Sequence, residues 1–285
     1  MKKTTYDSAW LDGQYNNRSR VPAHADHFRR WAAASSDAMR SQPRELDVRY
    51  GGGTREHLDI FPADHGDAPV LFFIHGGYWR SLDKKEHSFI APAFTNAGAC
   101  VVVPNYALAP ATTIPQIVMQ MVGALAWTYR NIAKRGGDPS RIVVAGHSAG
   151  GQLAAMMLSC VWQAYAKDLP ADLVKGALAI SALHDLEPLM HSPYLQDSLH
   201  LTAEQVSQAS PARLPPPAQG VLYSVVGGDE SEEYLRQNQL IRDAWGADRV
   251  PVCEALPGLN HFTALESLVE PGQRANALAL ELLRT

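Results

Sequence analysis

Ser148 stands in Gly146-His147-Ser148-Ala149-Gly150, between the apolar run Arg141-Ile142-Val143-Val144-Ala145 and a helix-like stretch starting near Gln152. A serine in G-x-S-x-G acquires chemical meaning when it follows a strand and opens a helix, because the sharp turn then exposes its hydroxyl. Small neighbours are needed where such a turn packs closely, and the serine takes up a strained backbone conformation. The helix N-terminus beside it favours developing negative charge. A serine hydroxyl is nevertheless a poor nucleophile at neutral pH. It needs a base, an acid to orient that base, and donors for an oxyanion.

Residues of each kind follow recognisable elements. Val70-Leu71-Phe72-Phe73-Ile74 runs into His75-Gly76-Gly77-Tyr78-Trp79. Glycines there let backbone N–H groups approach a substrate oxygen, so Gly76 or Gly77, with Ala149, are the expected oxyanion donors. His75 is expected to brace the loop. The rings of Tyr78 and Trp79 are expected to wall the acyl side of a substrate pocket. An acid is due after the buried strand Val221–Val226, in Gly227-Gly228-Asp229-Glu230-Ser231. Counting from Gly227 favours Glu230; Asp229 serves if the turn is one residue tighter. The base is expected to be His261, in a loop after a short strand Val250–Leu256, with room for one helix and one strand between acid and base. Ser148, Glu230 and His261 thus form the expected catalytic set. His184-Asp185 is a weaker rival pair, in which Asp185 ties down its loop and His184 could face the substrate. The remaining histidines show no metal-ligand spacing, and no metal or cofactor is expected.

The elements that must position these groups alternate as in a doubly wound sheet. Residues 22–40 read as a helix, and Glu45–Tyr50 with Glu56–Phe61 as an edge hairpin turned by Gly51-Gly52-Gly53. Val70–Ile74 and Cys100–Val103 are continuous apolar runs, as buried parallel strands require. From Pro115 to about Lys134, Ile117, Met121, Leu125, Thr128 and Ile132 make one helical stripe. Gly176–Ser181 is a further strand, and residues 182–215 read as an irregular insertion roofing the site. Gln219–Val226, a helix Ser231–Trp245, Val250–Leu256 and a helix near Gly272–Leu283 complete the unit. The expected organisation is one α/β domain over 1–285, with a helical extension at 1–43 and a cap insertion at 182–215.

Composition agrees with a folded enzyme-sized chain. The 285 residues are 46% hydrophobic and 19% charged, enough for a substantial core and too apolar for disorder. A net charge of −4 gives no footprint for nucleic acid or an anionic membrane. Met1–Asp7 has two lysines but no apolar core, so no secretory signal is expected there. Cys100, Cys160 and Cys253 are expected to be buried reduced thiols of a cytoplasmic protein.

These motifs carry a resemblance. His75-Gly76-Gly77-Tyr78-Trp79, Asn105-Tyr106-Ala107-Leu108-Ala109-Pro110 and Gly146-His147-Ser148-Ala149-Gly150-Gly151, with the order serine, acid, histidine, resemble the α/β-hydrolase superfamily around the hormone-sensitive-lipase-like esterases. Within it the HGGYW form is similar to serine-dependent kynurenine formamidases. So are Gln14-Tyr15-Asn16-Asn17-Arg18 and Val226-Gly227-Gly228-Asp229-Glu230-Ser231-Glu232-Glu233-Tyr234-Leu235-Arg236-Gln237, which matches V-G-x-x-(D/E)-S-x-E-(F/Y)-x-R-Q and again places the acid at Glu230. Such enzymes commonly carry aspartate there, so glutamate is a departure within type. The resemblance implies an α/β-hydrolase fold: a mostly parallel sheet, helices on both faces, and a small cap from the N-terminal segment and residues 182–215. It implies cleavage of a small acyl group, N-formylkynurenine being the best single substrate, with a short-chain carboxylesterase as the alternative. The implied partner is a small aryl formamide or ester rather than nucleic acid or membrane, and a homodimer stays open.

Overall fold

The computed structural model describes residues 7–285; the reading of Met1–Tyr6 falls outside them. Eight strands form one sheet: β1 (Glu45–Arg49), β2 (His57–Phe61), β3 (Ala68–Ile74), β4 (Cys100–Pro104), β5 (Gly137–His147), β6 (Val174–Ile180), β7 (Val221–Gly227) and β8 (Val252–Leu256). Their order is β1-β2-β4-β3-β5-β6-β7-β8. β1 and β2 pair antiparallel, as does β2 with β4, and every other pairing is parallel. The expected edge hairpin and parallel core are both present.

The apolar runs explain why the sheet is covered on two sides. Along β3, Val70, Phe72 and Ile74 enter one buried cluster, while Leu71 and Phe73 enter the other. A strand alternates faces at every residue, so an unbroken apolar run needs packing on both. The helices are α1 (Ser8–Tyr15), α2 (Asn17–Arg20), α3 (His24–Ser41), α4 (Ala91–Thr95), α5 (Ile114–Asn131), α6 (Ala149–Leu158), α7 (Trp162–Tyr165), α8 (Glu187–Met190), α9 (Pro193–Leu199), α10 (Ala203–Ala209), α11 (Glu232–Trp245), α12 (His261–Glu266) and α13 (Arg274–Leu282). Residues of α5, α6, α10 and α11 fill the first cluster, and residues of α3, α4, α12 and α13 the second. The expected stripe is buried, Ile117, Met121, Leu125 and Thr128 within α5 and Ile132 in the turn after it, and Thr113 with Gln116 forms a reciprocal cap at the start of α5.

Four local expectations differ from the structure. Residues 182–215 hold three short helices, α8 to α10, with Pro188, Pro193 and the Thr202–Gln205 cap starting them. α1 and α2 precede the expected N-terminal helix, because Asp7 and Asn16 side chains cap them. His261 opens α12 instead of lying in a loop, since Asn260 accepts from the Phe262 and Thr263 amides. Cys160 and Cys253 are only partly buried, whereas Cys100 is fully so.

Candidate active site

The nucleophile turn is fixed by backbone contacts. Ser148 follows β5 and caps α6 at φ 57° and ψ −121°, a region that non-glycine residues occupy only under constraint. A Cβ on Gly146 would lie 2.0 Å from the Gly150 oxygen, and one on Gly150 2.0 Å from the Ile74 oxygen. No side chain fits at either position, so the turn packs backbone to backbone against β3. The Ser148 N–H donates to the Ile180 carbonyl at 2.8 Å, and its carbonyl accepts from Gly151 and Gln152.

The segment after β3 lies directly on this turn. A Cβ on Gly76 would sit 2.8 Å from the His147 oxygen and 3.1 Å from Ser148 Cβ. Gly77, at φ +105°, has its carbonyl engaged by the N–H groups of Arg80 and Ser81 at 3.1 Å each. Gly77 lines a cavity with Ser148 and His261, while Ala149 is buried at the first turn of α6, where a helix leaves amides without internal acceptors. The Tyr106 hydroxyl donates to the His75 carbonyl at 2.8 Å, and the ring of His75 stacks on Tyr106 with 4.4 Å between centroids. His75 Nδ1 donates to the Gly76 carbonyl at 2.8 Å, and burial lowers its pKa to about 4. A neutral imidazole therefore braces the loop, as its position after β3 implied.

The acid in the turn after β7 meets the base at the start of α12. His261 Nδ1 lies 2.7 Å from Glu230 Oε2. The other carboxylate oxygen accepts from the Gly227 N–H at 2.8 Å and from the Ser181 hydroxyl. With Nδ1 donating to the carboxylate, Nε2 is left as the ring's acceptor. Glu230 is buried, while Asp229 is exposed. His147 adds a clamp: its Nε2–H donates to the His261 carbonyl at 2.8 Å, and burial and His261 hold its pKa well below the ordinary value. The residue ahead of the serine thus ties the base's backbone to the nucleophile turn.

A cavity of about 200 Å³ opens over Ser148 and His261. Its walls are Phe28 and Trp31 from α3, Tyr78, Tyr194 from α9 and Phe262 from α12. Tyr78 lines this cavity. Trp79, expected on the same wall, does not line it: it is fully buried, and its indole N–H donates to Gln152 Oε1 at 3.0 Å. Consecutive residues at φ 51° and 54° turn the two rings to different places. His184 is likewise fully buried beside Ser224, with its pKa lowered to about 3 by desolvation, and does not line the cavity. Asp185 pairs with Arg213 and holds its loop, as expected.

Two neighbours of the site escaped sequence reasoning, although both lie in motifs that carried the resemblance. Tyr234 packs on the His261 ring at 4.8 Å. Tyr78 donates its hydroxyl to the Tyr15 carbonyl at 2.6 Å, so the 2.6 Å contact between Tyr78 and Tyr234 takes its proton from Tyr234. Asn17 Nδ2 donates to Tyr234 at 3.0 Å. Burial raises the Tyr234 pKa, while its polar neighbours Tyr78, Asn17 and Ser148 oppose the rise. Tyr15 in turn donates to Glu233 Oε2 at 2.6 Å, and Glu233 pairs with Arg236, so the N-terminal segment is tied to α11.

Among the described residues no group of three or more His, Cys, Asp or Glu is placed to hold a metal ion, and no helix is long and apolar enough to cross a membrane. Residues 71–234 match a family described as alpha/beta hydrolase fold. The kynurenine formamidase of Danio rerio is 30% identical over 246 residues, covering 84% of this chain and 81% of that protein. The carboxylesterase NlhH of Mycobacterium tuberculosis is 39% identical over 116 residues, 40% of this chain and 36% of the esterase. A candidate thioesterase solved from Silicibacter sp. TM1040 superimposes with a TM-score of 0.82 at 28% identity, covering 96% of this chain and 99% of that one.

Proposed function

Because the chain belongs to the alpha/beta hydrolase fold family, in its kynurenine-formamidase-like branch, and is a hydrolase, we propose that it removes a formyl group from an aromatic amine, with N-formylkynurenine as substrate and kynurenine and formate as products. The observation that carries this reading is the Glu230–His261 pair, whose histidine lines one aromatic-walled cavity together with Ser148. His261 Nε2 accepts the Ser148 proton as Oγ attacks the formyl carbon. Glu230 holds the imidazole in the Nδ1–H tautomer and stabilises its charged form. The oxyanion is met by the amides of Gly76 or Gly77 and Ala149, where loss of one such donor costs about 3 kcal/mol of barrier lowering. His261 then gives its proton to the departing aryl amine as the C–N bond breaks. Water, deprotonated by His261, attacks the formyl ester of Ser148; formate leaves and the serine recovers its proton. An anilide nitrogen is a better leaving group than an alkyl amine, which suits an aromatic cavity. The reading carries with it a cytoplasmic location, where Cys100, Cys160 and Cys253 stay reduced.

A short-chain carboxylesterase would use the same residues, and the match to the mycobacterial carboxylesterase favours that second reading. Relative kcat/KM for N-formylkynurenine and p-nitrophenyl acetate separates them, with Ser148→Ala as the blank. Serine-dependent formate release preferred by about tenfold or more supports deformylation. Ester cleavage with negligible deformylation replaces it by the esterase reading.

A further inference from the structure

The charge on the cavity wall has no part in the acyl-transfer steps. Arg18 and Arg80 both line the cavity, and no carboxylate does. Resting on the reading of Ser148, Glu230 and His261 as a hydrolytic site, we propose that these two guanidiniums form an anion subsite, which selects aromatic acyl donors whose leaving group carries a carboxylate.

Neither guanidinium has a carboxylate partner among the described residues. Arg80 is half-buried and fixed: Nη1 donates to the Tyr194 carbonyl at 2.7 Å and to Ser198 Oγ at 2.5 Å. Its Cζ lies 4.6 Å from the Tyr194 ring centre and 5.9 Å from that of Tyr78. That leaves Nε and Nη2 without acceptors among the described residues. The exposed Arg18 holds its Cζ 5.3 Å from the Phe28 ring centre. Each guanidinium is therefore laid on an aromatic wall by a cation–π contact with donors to spare.

Three of the surrounding acids are committed elsewhere. Both Glu230 oxygens are used by His261, Ser181 and Gly227. Glu266, near the α3 wall, accepts from His27, Arg30 and the Trp31 indole. Asp12, behind Tyr194, accepts from the Ser192 hydroxyl and the Tyr194 amide. Arg30 and Arg236, by contrast, are neutralised by Glu266 and Glu233. A neutral ligand would cover the two free cations without replacing their water, whereas a carboxylate replaces it with charge-assisted hydrogen bonds. An aromatic ring between the walls, with an anionic arm toward Arg18 and Arg80, uses every surface the cavity offers.

The test uses an ester pair, so that it reads the subsite whatever acyl group the enzyme prefers. Hydrolysis of 3-acetoxybenzoate is compared with that of its methyl ester, for the wild-type chain, Arg18→Gln, Arg18→Lys and Arg80→Gln. The expected result is about tenfold higher kcat/KM for the carboxylate, carried by KM and shrinking with added salt. Arg18→Gln and Arg80→Gln should each remove most of that advantage by slowing the carboxylate ester more than the neutral one, with thermal melts as the control for folding, and Arg18→Lys should keep part of it. Equal kcat/KM for the two esters in the wild type overturns the subsite, as does a variant that slows both esters alike. If N-formylkynurenine is still deformylated in that event, the formamidase reading stands alone. An ester-only enzyme that keeps the carboxylate preference sinks the formamidase reading and leaves the subsite standing.

Discussion

The floor of the cavity and its walls are built by different means. The floor consists of short contiguous segments: residues 75–77 and 146–150 press backbone against backbone, so that a single Cβ at Gly146 or Gly150 would reach 2.0 Å from a main-chain atom, and 227–230 press in the same way on the backbone of 256–260. The walls are side chains from remote places, among them Asn17, Phe28, Trp31, Tyr194 and Phe262. Backbone packing of the first kind admits almost no substitution, because nothing near it can relax. Side chains of the second kind can change without disturbing the sheet. One fold can therefore keep its acyl-transfer chemistry while its walls are rebuilt for another substrate.

The largest effects should come from breaking the floor chemically. Ser148→Ala should lower kcat by about 10⁴-fold or more with little change in KM, and Glu230→Gln by about a thousandfold. Asp229→Asn, one residue away and exposed, should stay within about twofold of wild type. Steady-state rates of the three variants decide between the adjacent acids.

Acid should loosen the floor and the packing beside it next. Burial lowers the pKa of His75 to about 4 and of His87 and His184 to about 3, against an ordinary value near 6.5. The unfolded chain therefore binds more protons than the folded one below about pH 6.5, and stability must fall as pH drops through that window. Between pH 7 and 5 each histidine contributes a loss of about 2 kcal/mol, several kcal/mol together. Urea unfolding at the two pH values measures it; an unchanged midpoint would refute neutral burial of these rings.

A direct contrast of the two constructions comes third. Gly150→Ala should destabilise by about 3 kcal/mol or more, since its methyl would meet the Ile74 carbonyl. Phe28→Leu should cost about 1.5 kcal/mol at most while raising KM for an aromatic substrate. Thermal melts beside Michaelis curves separate stability from binding, and equal stability losses would erase the distinction between floor and wall.

The smallest effects belong to the seam between them. Asn17→Ala and Tyr234→Phe should each slow turnover by about threefold to tenfold, and the double variant should be little worse than either, because both act through one hydrogen bond. Full additivity in kcat would show that Asn17 and Tyr234 work separately.

How much could be read from the chain follows the same division. The parallel core was legible because its strands are unbroken apolar runs, and the nucleophile turn because its glycines are adjacent in sequence. Glu230 was separable from Asp229 by counting from Gly227, which the geometry of the turn respects. The walls were not legible: nothing local to Phe28 or Tyr194 says that α3 and α9 converge on one cavity. Trp79 shows the limit of adjacency, since two successive positive φ values send it into the core while Tyr78 faces the cavity. The histidine loop became a helix because the Asn260 cap needed only two downstream amides. Tyr234 and Asn17 were within quoted motifs, but a motif does not reveal that its tyrosine touches a histidine on another helix.

One wall residue has an optical consequence. Trp31, one of six tryptophans, lines the cavity with its indole N–H bound to Glu266, while Trp79 and Trp162 are buried in the core away from it. Its fluorescence is therefore a gauge of occupancy already built into the protein. Titrating ligand into the Ser148→Ala protein and subtracting the signal of a Ser148→Ala/Trp31→Phe counterpart would report binding without turnover, label or coupled assay.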